Sequence, residues 1–333
     1  MSLINRQFTL AARPQGLVKR SDFAYAETPV PEPKDGELLV KTLYISLDPA
    51  MRGWMNEGKS YIRPVAIGEV MRAGTLGEVL VSKTPAFKAG DHVVGNWGVQ
   101  DYAALPPEGL SKVDPRLAPL PKYLGVLGMP GLTAYFGLLE IGQPKPGEVV
   151  VVSGAAGAVG QVVGQIAKLK GCTVIGIAGG ADKCAYVVRD LGFDACVDYK
   201  SQDVKKALRE LAPKGVDVYF DNVGGDILDA VLTQIRMKAR IVICGAISQY
   251  NNTTPMKGPS NYMSLLVNRA RMEGMVVFDW APRYGEAIQA MGAWLAEGKL
   301  RSREDIVQGL ETFPETLNKL FSGENFGKLL IQV

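Results

Sequence analysis

Residues 148–160 read EVVVVSGAAGAVG, and the fold follows from how that stretch must be built. Four consecutive valines have strand propensity, and Ser153 with the glycines behind it ends the run before a helical stretch over 158–169. That is a strand, a tight turn and a helix. Gly154, Gly157 and Gly160 stand at G-x-x-G-x-x-G spacing, where a missing side chain lets the backbone turn sharply, approach a pyrophosphate and pack helix on strand. The helix start then offers unpaired N–H groups and a positive dipole end to phosphate. The next apolar run, CTVIGIA over 172–178, reads as a second buried strand, as a right-handed βαβ crossover requires. This context favours dinucleotide binding; the alternative is that the glycines serve only close helix–sheet packing.

Working outward, residues 122–299 alternate strand and helix. Strands are predicted at 149–152, 174–178, 195–197, 216–220, 241–244 and 275–278, so the fold class is α/β with a Rossmann-type, doubly wound parallel sheet. The apolar helical stretch 123–141 is interrupted at Met129-Pro130-Gly131. Residues 1–121 read differently. Short strands at 8–10, 37–46, 74–82 and 92–97, with an extended proline-marked crossing over 23–33, predict a small, mostly-β barrel. In 300–333, strands at 306–310 and 328–333 flank a helix at 314–321, and this segment is expected to return to the first domain.

The whole chain sets bounds. Its 333 residues, 47% hydrophobic, are enough for a large core and predict two domains. The net charge of +3 comes without a basic run of five or more, which argues against extended nucleic-acid contact. No apolar run is long enough to cross a bilayer, and residues 1–20 contain Arg6, Arg13, Lys19 and Arg20 without a signal-peptide core. A cytoplasmic protein without a membrane partner is expected. Cys172, Cys184, Cys196 and Cys244 lack C-x-x-C spacing and read as reduced structural thiols. With His92 the only histidine, and read as a half-buried strand residue, the ligands for a zinc site are missing and no metal is expected.

Chemistry should gather at the carboxyl ends of the strands. The second strand ends in Ala178-Gly179-Gly180 with no carboxylate before Asp182, where an NAD enzyme places an acid for the ribose hydroxyls. Lys183 carries a charge suited to a 2′-phosphate, so NADP is favoured; the alternative is a solvated first-turn helix residue. Tyr199 and Lys200 end the next strand and are placed to edge an adenosine pocket. Asn222 ends the fourth strand, and the loop Cys244-Gly245-Ala246-Ile247-Ser248-Gln249-Tyr250 ends the fifth. Tyr250 can offer a phenolic donor to a carbonyl oxygen that becomes an enolate, unless it is an ordinary loop tyrosine.

Four stretches, Met129-Pro130-Gly131-Leu132-Thr133-Ala134-Tyr135, Ala156-Gly157-Ala158-Val159-Gly160, Tyr219-Phe220-Asp221-Asn222-Val223-Gly224-Gly225 and Cys244-Gly245-Ala246-Ile247-Ser248, together resemble one family. It is the zinc-independent medium-chain reductases: prostaglandin reductase, leukotriene hydroxydehydrogenase, alkenal double-bond reductase and curcumin reductase. The resemblance runs over nearly the full chain. It implies a GroES-like barrel completed by the C-terminal segment, a Rossmann domain between, NADPH as cofactor and a homodimer formed through the strand around residues 275–278. It implies also that Gly157, Ala158, Val159 and Gly160 hold the pyrophosphate, Lys183 the 2′-phosphate and Tyr199 the adenosine side. Asn222, residues 244–250, Phe278 and Asn325 would complete the cofactor site.

By the same resemblance, hydride passes to the β-carbon of an enone or enal, Tyr250 steadies the enolate and solvent protonates the α-carbon. The chain departs from the family's pattern at Asp48-Pro49-Ala50-Met51-Arg52, where the family often has tyrosine in place of Ala50. Either Tyr61 or Trp54 fills that part of the substrate site, or the pocket is wider. A quinone reductase on the same fold and a non-catalytic NADPH-binding protein are the rival readings.

Overall fold

The computed structural model describes residues 3–333. They form two compact units, one built from the chain up to Leu124 together with Glu304–Val333, the other from Gly125–Arg303. In the first, β1 (Ile4–Leu10) and β2 (Phe23–Pro29) pair antiparallel. β3 (Leu38–Ser46) leads to the short helix α1 (Ala50–Trp54), and β4 (Thr75–Ser82), β5 (His92–Gly95), β6 (Tyr102–Leu105) and β7 (Ser111–Val113) follow. β6 and β7 are too short and too weakly alternating to stand out in the sequence.

The second unit opens on α2 (Met129–Phe136). Pro130, which by itself argues a helix break, instead starts this helix, because its missing N–H falls among first-turn donors that have no intrahelical partner. Then come β8 (Val149–Ser153), α3 (Gly160–Leu169), β9 (Thr173–Ala178), α4 (Ala181–Arg189), β10 (Ala195–Asp198), α5 (Val204–Leu211), β11 (Val216–Asp221), α6 (Gly225–Leu232), β12 (Ile235–Ile243), α7 (Met263–Asn268), β13 (Arg271–Gly274) and α8 (Tyr284–Ala296). The six strands are parallel and run in the order β10-β9-β8-β11-β12-β13. The order reverses between β8 and β11, which is the switch point where α/β sheets leave room for a ligand.

The sixth strand is Arg271–Gly274, and residues 275–278 do not form it. The Met275 amide still donates to the Ile243 carbonyl at 3.1 Å, the chain then leaves the sheet, and Phe278 lies in a 3₁₀ segment, Val277–Arg283. An apolar run there suggested a buried strand, yet Phe278 is 45% exposed.

The chain then completes the first unit with β14 (Glu304–Gln308), α9 (Phe313–Ser322) and β15 (Lys328–Gln332). β15 pairs with β3 antiparallel and with β14 parallel, giving a mixed sheet in the order β14-β15-β3-β4-β5-β7 with β6 on β3. Phe8, Phe23 and Phe313 pack edge-on at the centre of the apolar core there. This is the Rossmann and GroES-like pairing of folds.

Candidate functional site

At the end of β8 the backbone turns at Gly154, whose φ of +61° few side chains tolerate. The Gly157 amide donates to the Gly154 carbonyl at 2.9 Å, and the Gln161 amide to the Gly157 carbonyl at 3.1 Å. A Cβ on Gly160 would stand 2.2 Å from the Gly154 oxygen, so α3 can start against this turn only with glycine there. Gly157, Ala158 and Val159, which lead into α3, are half-buried.

The end of β11 supplies the frame for the neighbouring loops. Asp221, 1% exposed, accepts on Oδ1 from Ser153 Oγ (3.0 Å), Tyr219 Oη (2.8 Å) and the amides of Val223 and Gly224 (both 2.9 Å). Burial pushes its carboxyl up, while the donors favour the ionised form. Asn222 is fixed by the same serine: its amide donates to Ser153 Oγ (2.9 Å) and its Nδ2 to the Ser153 carbonyl (2.7 Å). Sequence reasoning gave Ser153 and Asp221 no role, although an acid closing an apolar strand was the available signal.

The loop after β12 rests on this turn. The amides of Cys244 and Gly245 donate to the Asp221 carbonyl (2.9 and 3.1 Å), that of Ile247 to Asn222 (3.2 Å) and that of Ser248 to Val223 (3.2 Å). Ser248 Oγ adds a 2.6 Å bond to the Val223 carbonyl. Tyr250 folds back over its own loop, and its hydroxyl oxygen accepts from the Ala246 amide at 3.1 Å. Burial and the Asp221 charge push the Cys244 thiol up to about 12, so it is neutral at physiological pH.

At the other end of the sheet, β9 gives way to Gly179 and Gly180, the latter at φ +105°. Asp198, closing β10, accepts from the Gly180 amide (2.7 Å), the Lys200 amide (3.0 Å) and Ser201 Oγ (2.8 Å). These donors hold its carboxyl below the ordinary range, the Gly180 amide foremost. Tyr199 covers Gly179, where a Cβ would meet its hydroxyl at 2.8 Å. Lys183 is half-buried in the first turn of α4.

Thus Gly157–Gly160, Asn222, residues 244–248 and Tyr250 gather at the strand ends on both sides of the switch point, with Lys183 and Tyr199 at the ends of β9 and β10. Phe278 follows the edge strand. Trp54, Tyr61 and Asn325 belong to the other unit. There Trp54 Nε1 donates to Tyr61 Oη at 3.4 Å, and Asn325 Nδ2 to the Gly327 carbonyl at 3.1 Å. His92 is half-buried in β5. Among the described residues no three His, Cys, Asp or Glu side chains come together where they could hold a metal ion.

A parallel sheet with a glycine turn at its switch point defines a dinucleotide-binding oxidoreductase. Residues 6–113 match a family model described as the N-terminal domain of oxidoreductase, and residues 158–293 one described as zinc-binding dehydrogenase. The chain is similar to the NADPH-dependent curcumin reductase of Escherichia coli, at 45% identity over 99% of this chain and 97% of that one. It is similar to the NADP⁺-dependent 2-alkenal reductase of Nicotiana tabacum, at 42% identity over 99% and 97% of the two chains. Among solved structures, CurA from Vibrio vulnificus in complex with NADPH matches with a TM-score of 0.94 and 46% identity, over 98% of this chain and 99% of that one. The chain therefore belongs to the medium-chain dehydrogenase/reductase family, in its zinc-independent branch of curcumin and alkenal reductases.

Proposed function

We propose that the protein is an NADPH-dependent reductase of the carbon–carbon double bonds of α,β-unsaturated ketones and aldehydes. The observation that carries this is the pairing of a glycine turn at the switch point with a tyrosine-bearing loop bonded to the adjacent strand end. The site's residues fit the cofactor. Gly160 leaves no room for a side chain, the turn that leads into α3 sits at the positive end of the helix dipole, which suits a pyrophosphate, and β9 gives way to two glycines without an acid. Lys183 would hold the 2′-phosphate, Tyr199 would flank the adenosine, and Asn222, residues 244–248, Phe278 and Asn325 would line the remainder.

When bound, the reduced nicotinamide supplies a hydride to the β-carbon of the substrate. The chain's task is then to orient the substrate and to hold charge on its carbonyl oxygen. The Tyr250 oxygen takes the Ala246 N–H, which strengthens its hydroxyl as a donor toward that oxygen. Asp221 and Ser153 keep the loop in register by binding the turn beneath it. Tyr61 or Trp54 would border the substrate in the place that Ala50 leaves without a tyrosine; the alternative is a wider pocket there.

Support for a small-molecule enone substrate comes from the curcumin and alkenal reductases named above. A homodimer is proposed through the open edge of β13; Met263, Leu266 and Val267 on α7, the helix that leads into β13, are exposed. No helix among the described residues is long and apolar enough to cross a membrane, and a cytoplasmic location is proposed.

The test is stopped-flow oxidation of NADPH with a panel of enals, enones and quinones. Turnover of enones and enals is expected, and faster turnover of quinones would overturn the assignment. Lys183→Ala should raise the KM for NADPH and leave that for NADH nearly unchanged, since only NADPH carries the extra phosphate. Equal losses would remove the lysine from its role.

A further inference from the structure

We propose that Cys184 and Cys196 form a redox-closing dithiol, joined by peroxide into a disulfide that ties the first turn of α4 to β10 and weakens the hold on the cofactor's 2′-phosphate. The two sulfurs are 2.7 Å apart, inside the contact distance of two unbonded sulfurs. A disulfide bond is about 2.05 Å long, so closure asks for a displacement of well under ~1 Å. Both residues are half-buried, so a small oxidant can reach them, and neither takes part in the proposed mechanism. They come from different elements, Cys184 from the helix and Cys196 from a strand in register with Gly176, so a bond between them ties helix to sheet.

The two thiols interact directly, so once one loses its proton it is the nucleophile and the other keeps its proton. By contrast, burial pushes Cys172 up to about 11 and Cys244 up to about 12, which leaves both inert.

The chemistry balances in two steps. The thiolate of one cysteine attacks one peroxide oxygen, the O–O bond breaks, a sulfenic acid forms and hydroxide leaves, to be protonated to water. The sulfur of the other then displaces the sulfenic hydroxyl, the S–S bond forms, and the hydroxyl departs with that thiol's proton as water. In all, two thiols are oxidised and hydrogen peroxide is reduced to water.

The consequence for the cofactor rests on the function proposed above. Lys183 immediately precedes Cys184, Tyr199 and Asp198 close the strand that carries Cys196, and Asp198 holds the Gly180 amide at 2.7 Å. Drawing the sulfurs together therefore shifts the lysine and the glycine turn at once.

The experiment treats the whole protein with hydrogen peroxide, maps peptides without reductant, and measures the Kd of NADPH by calorimetry before oxidation, after it, and after dithiothreitol. The expected result is a Cys184–Cys196 cross-linked peptide and a several-fold weaker Kd, both reversed by reductant. Cys196→Ser should keep the activity of the reduced protein and show no peroxide effect on Kd. A thiol count or peptide map with no such cross-link overturns the dithiol, and a cross-link with unchanged Kd overturns its coupling to the cofactor. A reduced protein that fails to bind NADPH overturns the function and with it the coupling, whereas the peptide map still decides the disulfide.

Discussion

The strand-end turns of Gly125–Arg303 and the α1 region of the other unit are held by different forces. Around residues 244–248 the framework is mostly backbone: amides bond to carbonyls of the next turn, glycines remove the side chains that would keep those turns apart, and Asp221 with Ser153 anchors the turn beneath. Around α1 it is buried charge. Lys328, its side chain 1% exposed, donates to the Leu47 carbonyl and to Asp48 Oδ1, both at 2.7 Å. Asp48 also accepts from Ser46 Oγ. Arg52, 3% exposed, donates to the carbonyls of Gly16 (3.0 Å) and Pro14 (2.9 Å) and to Asn56 Oδ1 (2.6 Å). A backbone frame tolerates most side-chain changes outside Ser153 and Asp221 but few glycine changes. A charge frame has the opposite weakness.

The largest effect should come from breaking the charge frame. Asp48→Asn leaves the Lys328 ammonium buried without its counter-ion, at a cost of about 3 kcal/mol in urea unfolding. Lys328→Met should cost less, because the carboxylate it leaves behind is 28% exposed and water can reach it. Equal losses from the two changes would mean that burial of the charge is not what holds the region.

Next comes the backbone frame. Gly160→Ala forces a Cβ to 2.2 Å from the Gly154 carbonyl and should cost about 1–3 kcal/mol, with weaker NADPH binding. Gly285→Ala, in α8 with nothing within 4 Å, is the control and should be neutral or stabilising by about 1 kcal/mol. If the two behave alike, the turn yields more easily than its geometry indicates.

A smaller effect is electrostatic. The Asp198 carboxyl is held below its ordinary value of 3.8, so its contribution is complete above that pH and is lost as pH falls through the native value beneath it. Thermal melts should show this term only below about pH 4, and Asp198→Asn should flatten it. A loss that began near neutral pH would point to another group.

These differences explain what could be read in advance. The glycine turn, the sheet and the strand-end loops are local patterns: a valine run, a fixed spacing, a polar cluster after each strand. Lys328–Asp48 spans nearly the whole chain, and a lysine inside KLLIQV gives no sign that its ammonium is buried. The sixth strand was misplaced for a related reason. Residues 275–278 have the apolar character of a strand, but the ladder to β12 is made by Arg271–Gly274, whose exposed side chains carry no strand pattern. Edge strands are paired on one side only, so their side chains are less constrained to be apolar. Ser153 and Asp221 were visible as residues, but their partnership needed β8 and β11 to be neighbours.

The smallest predicted change separates framework from substrate contact. Tyr61 is 56% exposed, and its hydroxyl oxygen accepts a 3.4 Å bond from Trp54 Nε1. Tyr61→Phe should therefore move stability by no more than about 0.5 kcal/mol and leave the Kd of NADPH unchanged. If Tyr61 borders the substrate where Ala50 leaves space, the same change should raise the KM for enones, because the ring stays while the hydroxyl is lost. Tyr61→Ala should raise it further. Kinetics unmoved by either substitution would mean that the space beside Ala50 is open, and the pocket would then admit bulkier enones than a tyrosine at that position allows.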